Sequence, residues 1–159
     1  MSGTRSRTVP LPPFWSLVEA HGDELLVHAK RLAGDEHGED VLQDALLRAL
    51  RAYPRLRHAD HLRAWLYRVT MSAAMDFHRS HRRETVTDEP PTVSTYDTYD
   101  DGAFEALIAD LPETARSALR LRFVDDLDYD GIADRLGCST VAARQRVSTA
   151  VRSLRETFA

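Results

Sequence analysis

The sequence predicts an all-α protein built from two small helical domains joined by an acidic tether. Three observations lead there. Apolar residues recur at helical spacing along most of the chain, and no segment alternates with period two. One stretch, ETVTDEPPTVSTYDTYDDG at 84–102, carries no stripe and is rich in Pro, Thr and Asp. Near the end, a short apolar helix, a glycine and a longer amphipathic helix follow in close order, which is the helix-turn-helix layout.

In the first domain, assigned to 14–83, Phe14, Val18, Leu25, Ala29 and Leu32 mark one helical face, and Gly34 ends it. A second stripe runs through Leu42, Ala45, Leu46, Ala49 and Tyr53 and stops at Pro54. A third runs from Leu62 through Trp65, Leu66, Val69 and Ala73 to Phe77, with Asp60 as its expected N-cap. It leads into the basic cluster Arg79, His81, Arg82, Arg83. Residues 1–13 read as a disordered tail. The stretch 84–102 reads as a linker, because about 19 structureless residues are unusual inside one compact domain.

The second domain, 103–159, opens with a short stripe at Phe104, Leu107, Ile108 and Leu111. Pro112 suits the start of the next helix, which carries Ala115, Leu119 and Phe123. Ile132, Ala133 and Leu136 form the first helix of the helix-turn-helix, Gly137 its turn, and Ser139 the cap of the final helix. The core face of that helix is Ala143, Val147, Ala150, Val151 and Leu154. At 100° per residue, Gln145, Thr149 and Arg152 then point outward, flanked by Arg144, Arg155 and Arg146. Arginine reads guanine edges, glutamine reads adenine, and flanking arginines hold phosphates. This face is therefore a candidate for the DNA major groove.

The 159 residues, 43% hydrophobic, suffice for one domain or two small ones. The net charge of −4 hides a strong asymmetry. Residues 1–83 carry 13 basic and 10 acidic side chains, residues 84–110 carry eight acids and no base, and residues 111–159 carry eight arginines and seven acids. Local rather than net charge governs nucleic-acid binding. Of the 21 basic residues only Lys30 is a lysine. No apolar run reaches the roughly 18 residues of a membrane span, and MSGTRSRTVPLPPFW lacks the apolar core of a signal peptide. Cys138, the only cysteine, cannot form an intramolecular disulfide, so a reducing cytoplasmic setting is expected.

The motifs point further. GEDVLQDALLRAL resembles the polymerase-binding signature of bacterial sigma factors, an Ala-Glu-Asp-x-x-Gln stretch followed by an apolar helix. RAWLYRVTMSAAMDFHRSHRR resembles the Trp-Leu-x-Arg segment that follows it there. LPETARSALRLRF, DYDGIADRLGCS and the final helix resemble the family's C-terminal promoter-binding domain. The chain thus resembles a two-domain extracytoplasmic-function (ECF) sigma factor over residues 14–83 and 104–156. The resemblance implies a three-helix domain of the region 2 type and a helix-turn-helix domain of the region 4 type. Its implied partners are core RNA polymerase and promoter DNA, with an anti-sigma protein as a partner common in the family.

The resemblance also implies roles for residues. Glu39, Asp40 and Gln43 match the acidic-Gln signature, and Asp44, Leu47 and Arg48 extend that polymerase-docking helix. The stretch Arg55–His61 matches the loop that captures an unstacked base of the −10 element, with Arg55, Arg57, His58, Asp60 and His61 as its polar groups. Arg79, Arg82 and Arg83 would follow the DNA backbone beyond it. Ser139, Thr140, Arg144, Gln145, Arg146 and Thr149 fall where the family contacts the −35 element. The chain departs from the pattern in places. It has Ser72 where Asn is usual, Gly131 where Glu precedes Ile-Ala, Ala142 and Ala143 where Thr-Val opens the recognition helix, and Thr149 where an Arg is usual. Each change removes a cap, a packing group or a phosphate contact.

Two other classes compete. A stand-alone helix-turn-helix regulator needs a dimer surface and a palindromic site, and leaves Glu39–Gln43 unexplained. A divergent sigma factor dependent on a helper protein would fit the departures. An enzyme is not expected. His58 and His61, like His78 and His81, are three apart, but no HExxH or ExxH motif occurs. The sequence calls for no metal, cofactor or small-molecule substrate.

Overall fold

The computed structural model describes residues 11–56, 60–84 and 101–158. The disordered-tail assignment for 1–10, most of the linker, and Arg57 and His58 lie outside these residues. Among them the chain forms seven α-helices and no strand. They are α1 (Phe14–Ala33), α2 (Gly38–Ala52), α3 (Leu62–Glu84), α4 (Asp101–Ile108), α5 (Glu113–Phe123), α6 (Tyr129–Leu136) and α7 (Thr140–Phe158).

α1, α2 and α3 pack each against the other two. Gly34, at φ 90°, closes α1 by donating its N–H to the Lys30 carbonyl, a conformation in which glycine carries no steric penalty. α2 starts with Glu39 and Asp40 in its first turn, at the positive end of the helix dipole. It buries Val41, Ala45, Ala49 and Ala52. This face is turned by about one residue from the expected stripe, so Leu42 and Leu46 are only half-buried. After Ala52 the chain passes through a 3-10 turn at Tyr53–Arg55 that contains Pro54. The Tyr53 hydroxyl donates to the Pro12 carbonyl, and its ring packs 5.3 Å from Phe14 and 6.3 Å from Trp65. The residue before α3 is His61, at φ 59°, whose carbonyl accepts from Trp65 N–H. The cap position is thus one later than the expected Asp60.

Four further helices, α4 to α7, make the second group. Arg120 of α5 grips Glu105 of α4 through two hydrogen bonds of 2.8 Å, and this pairing holds the Glu105 carboxyl below its usual range. Asp128 caps α6 by accepting from Gly131 N–H at 2.8 Å. Gly137, at φ 66°, takes the left-handed conformation of a helix C-cap. Ser139 caps α7 by accepting from Ala142 N–H at 3.1 Å. α7 packs on α5 and α6 through Ala143, Val147, Ala150, Val151 and Leu154.

The two groups also touch. α1 packs on α7, and α3 packs on α4, α5 and α7. This explains why α3 is buried on more than the stripe facing α1 and α2: Ala64, Arg68, Thr70, Met71, Ala74 and Met75 are buried as well. A helix apolar or buried all round has partners on both sides. Arg68 Nη1 donates to the Phe123 carbonyl. His28 lies between Tyr67, at 4.7 Å, and Phe123, at 5.6 Å. Burial, aided by Arg31, lowers the His28 pKa to about 3, so the ring is neutral. Burial beside Glu24 raises the Tyr67 phenol to about 12.

Candidate functional site

The outward face of α2 follows from its buried face. With Val41, Ala45, Ala49 and Ala52 inside, Glu39, Asp40, Gln43 and Leu47 stand exposed in one row. Leu50 continues that row at 50% exposure, next to Leu47 at 55%. Leu50 is absent from the expected docking set, although it lies three residues beyond Leu47 at helical spacing. Exposed large apolar groups rimmed by acids mark a binding surface better than scattered ones do. Asp44 is half-buried, and Arg48 behaves differently from the rest. It turns inward, with Asp44 at 2.8 Å and Asp76 of α3 at 2.7 Å. Arg48 therefore braces the α2–α3 seam.

On α7 the observed orientation matches the periodicity. Arg144, Gln145, Arg146, Thr149, Arg152 and Arg155 are all exposed, while Ala143 and Val147 are buried. Thr114 and Ala115, at the start of α5, join Ala142, Gln145, Arg146 and Thr149 around a groove of about 480 Å³. Sequence reasoning does not reach this contribution of α5, since nothing local links residues 114 and 145. Ser139 serves as the α7 cap. Thr140 donates its hydroxyl to Asp130 at 2.7 Å, which ties the start of α7 to α6. The Arg144 guanidinium lies 4.9 Å from the Tyr129 ring centre, which limits its freedom near the edge of the face.

The third set is only partly described. Arg55 and Asp60 are exposed at the ends of the loop. His61 Nδ1 sits 3.7 Å from Asp126 in the α5–α6 turn. Arg79 contacts Asp76 at 3.5 Å and lies 4.7 Å from the Phe158 ring centre. Arg82 is exposed, and the Arg83 side chain lies outside the described residues. The paired histidines have structural duties: His78 bonds the Leu32 carbonyl at 2.6 Å, and His81 stacks on Phe77. Among the described residues no three His, Cys, Asp or Glu side chains converge as a metal site. No described helix is long and apolar enough to cross a membrane.

Of the departures, Ala143 lies on the buried face of α7 and Thr149 lines the α5–α7 groove. Gly131 sits at the third position of α6, where a Glu would close a capping box. Here the Asp128 carboxylate supplies the cap alone.

Taken together, the fold and its surfaces define a helical, two-module protein with one exposed acidic-apolar face on α2 and one arginine-rich face on the helix-turn-helix. Comparison with known proteins narrows the class. Residues 17–84 match the Sigma-70 region 2 family model, and residues 101–154 match that of Sigma-70, region 4. The RNA polymerase sigma factor SigV of Bacillus subtilis is 25% identical over 120 residues, covering 73% of this chain and 72% of SigV. The ECF RNA polymerase sigma factor SigG of Mycobacterium tuberculosis is 28% identical over 183 residues, covering 92% of this chain and 50% of SigG. The chain thus spans about half the length of that relative. Among solved structures, the sigma factor RpoE from Bartonella quintana, in complex with the anti-sigma factor NepR, is 24% identical at a TM-score of 0.47, covering 90% of this chain and 94% of that one. The chain belongs to the sigma-70 family, in its ECF group, whose members are initiation factors rather than enzymes.

Proposed function

We propose that this chain binds core RNA polymerase and directs it to promoters, with polymerase docking and DNA reading placed on separate helices. The carrying observation is that separation. The α2 face of Glu39, Asp40, Gln43 and Leu47 and the α7 face of Arg144, Gln145, Arg146 and Thr149 are each exposed, on different helix groups. An acidic, partly apolar helix face suits a basic helical partner. An arginine- and glutamine-bearing helix behind a capped turn suits base edges of the −35 element. Arg55, Arg57, His58, Asp60 and His61, with Arg79, Arg82 and Arg83, take the −10 element in this reading. Flipped bases there need polar partners and stacking surfaces.

The working division places the first domain at 14–83, the tether at 84–102 and the second domain at 103–159. The chain acts in the cytoplasm, where its partners are core polymerase, promoter DNA and, as is common in the family, an anti-sigma protein. Paired variants test the division of labour. Asp40→Ala with Gln43→Ala should weaken core-polymerase binding with the helical circular dichroism unchanged. Arg144→Ala with Gln145→Ala should relax upstream sequence preference, by about 1–3 kcal/mol for each base no longer read, with polymerase binding intact. If both pairs weaken both activities alike, the division is wrong.

A further inference from the structure

On α7 an apolar side chain stands on the face that is otherwise built to meet polar base edges. Among the described residues, the large apolar side chains left exposed are Trp15 and Val27 on α1, Leu47 and Leu50 on α2, and Val141 on α7. Val141 is 67% exposed and lies in the first turn of its helix. Arg144 and Gln145 follow at the spacing of one helical turn, so the three share one side of α7. The opposite side is buried through Ala143, Val147 and Ala150. An isolated exposed valine on an ordinary surface calls for no explanation. This one is bracketed by two bonds that fix the start of the helix. Thr140 donates its hydroxyl to Asp130 at 2.7 Å, and Ser139 accepts from Ala142 N–H at 3.1 Å. A β-branched side chain in a helix has one strongly preferred rotamer, so the two methyl groups of Val141 are fixed in advance.

In a helix-turn-helix, the N-terminal residues of the second helix are the ones that meet base edges. The major-groove edges offer hydrogen-bond donors and acceptors and one apolar group, the 5-methyl of thymine. Cytosine carries only a hydrogen at that carbon. We propose that Val141 is a specificity residue of the α7 face, packing its methyl groups on the 5-methyl of one thymine in the −35 element and so favouring thymine over cytosine there. The inference rests on the reading of α7 as the helix that enters the −35 element. Val141 precedes Gln145 by about 6 Å along the helix axis, or about two base steps of 3.4 Å. The thymine therefore lies within about two base pairs of the base that Gln145 reads.

The test uses the full chain bound to core polymerase and, in parallel, the full chain alone. Each selects from a pool of duplex DNA randomised over the upstream element. In the selected sequence every thymine is replaced singly by uracil, which removes the methyl group and keeps all hydrogen bonds. At one thymine the parent chain should lose about fourfold in affinity, the worth of one methyl group taken out of water. Val141→Ala should bind the thymine and uracil sites equally, and Val141→Ile should restore the discrimination. Alanine is the better helix former and the position is exposed, so the fold of the variant is not at stake. Gln145→Ala should relax a position within about two base pairs of the same thymine. No uracil-sensitive thymine, or the same sensitivity in Val141→Ala, would overturn the proposal, as would the failure of both selections to enrich a sequence. Enrichment by the chain alone but not with polymerase strikes the sigma-factor reading, while the uracil series on that site still judges Val141.

Discussion

Gly38 and Gly22 offer the same substitution with opposite expected signs. Gly38 opens α2 where the sigma-factor signature usually has alanine. Here a Cβ at Gly38 would lie 2.4 Å from Lys30 Cγ, 2.9 Å from Lys30 Cα and 3.0 Å from Lys30 N. Ordinary carbon contacts sit at about 3.5–4.0 Å. The Lys30 side chain can swing away, but its backbone cannot, so α1 and α2 must separate by about 0.5–1 Å to restore that spacing. Such overpacking costs about 1–3 kcal/mol, while the helix-propensity gain of Gly→Ala returns at most about 1 kcal/mol. With the full propensity gain realised, the net loss for Gly38→Ala is about 0–2 kcal/mol, or a melting point lower by up to about 8 °C for a chain of this size. Gly22 lies in the middle of α1, and a Cβ there meets nothing closer than Val18 Cγ1 at 4.0 Å. Gly22→Ala should therefore stabilise by about 0.5–1 kcal/mol. Urea denaturation of the two variants beside the parent chain decides the matter. A Gly38→Ala variant as stable as the Gly22→Ala variant would refute the close-approach reasoning.

Acid should loosen the junction of the two helix groups through His28. The folded ring stays neutral down to about pH 3, whereas an exposed histidine takes a proton near 6.5. The unfolded or opened chain therefore binds the extra proton as pH falls below about 6.5. Stability then declines by up to about 1.4 kcal/mol per pH unit. Between about pH 7 and 5 the ordinary carboxylates stay charged, so His28→Gln should flatten the stability–pH curve in that window; an unchanged slope contradicts the assignment. Asp128→Ala should cost about 1 kcal/mol by uncapping α6, read as a lower denaturation midpoint.

Much of the fold is legible because helices announce themselves by period. Gly34, Pro112, Asp128, Gly137 and Ser139 all sit at helix ends for local reasons that a linear sequence displays. The outward set on α7 follows from Val147 alone, since one buried residue fixes the rotation of a helix. The α2 stripe differs by one residue from its expected position because Leu42 and Leu46 are bulkier signals than Val41 and Ala52, whereas the small side chains are the ones that let α2 approach its neighbours. The inward turn of Arg48 depends on Asp76, 28 residues away, and the seam at His61 on Asp126. No periodicity reports such long-range pairing. The burial of Arg68 and His28 is likewise invisible in the sequence, although the apolar breadth of α3 from Ala64 to Met75 is a local hint of a second partner.

The most direct test of the central claim is run-off transcription by core RNA polymerase on a pool of genomic fragments, with and without the purified chain. Expected are discrete transcripts that require the chain, share upstream sequence, and vanish with Asp40→Ala and Gln43→Ala. The same transcripts with and without the chain, together with polymerase-independent binding of the chain to a palindromic site, would contradict it and make the protein a stand-alone DNA-binding regulator.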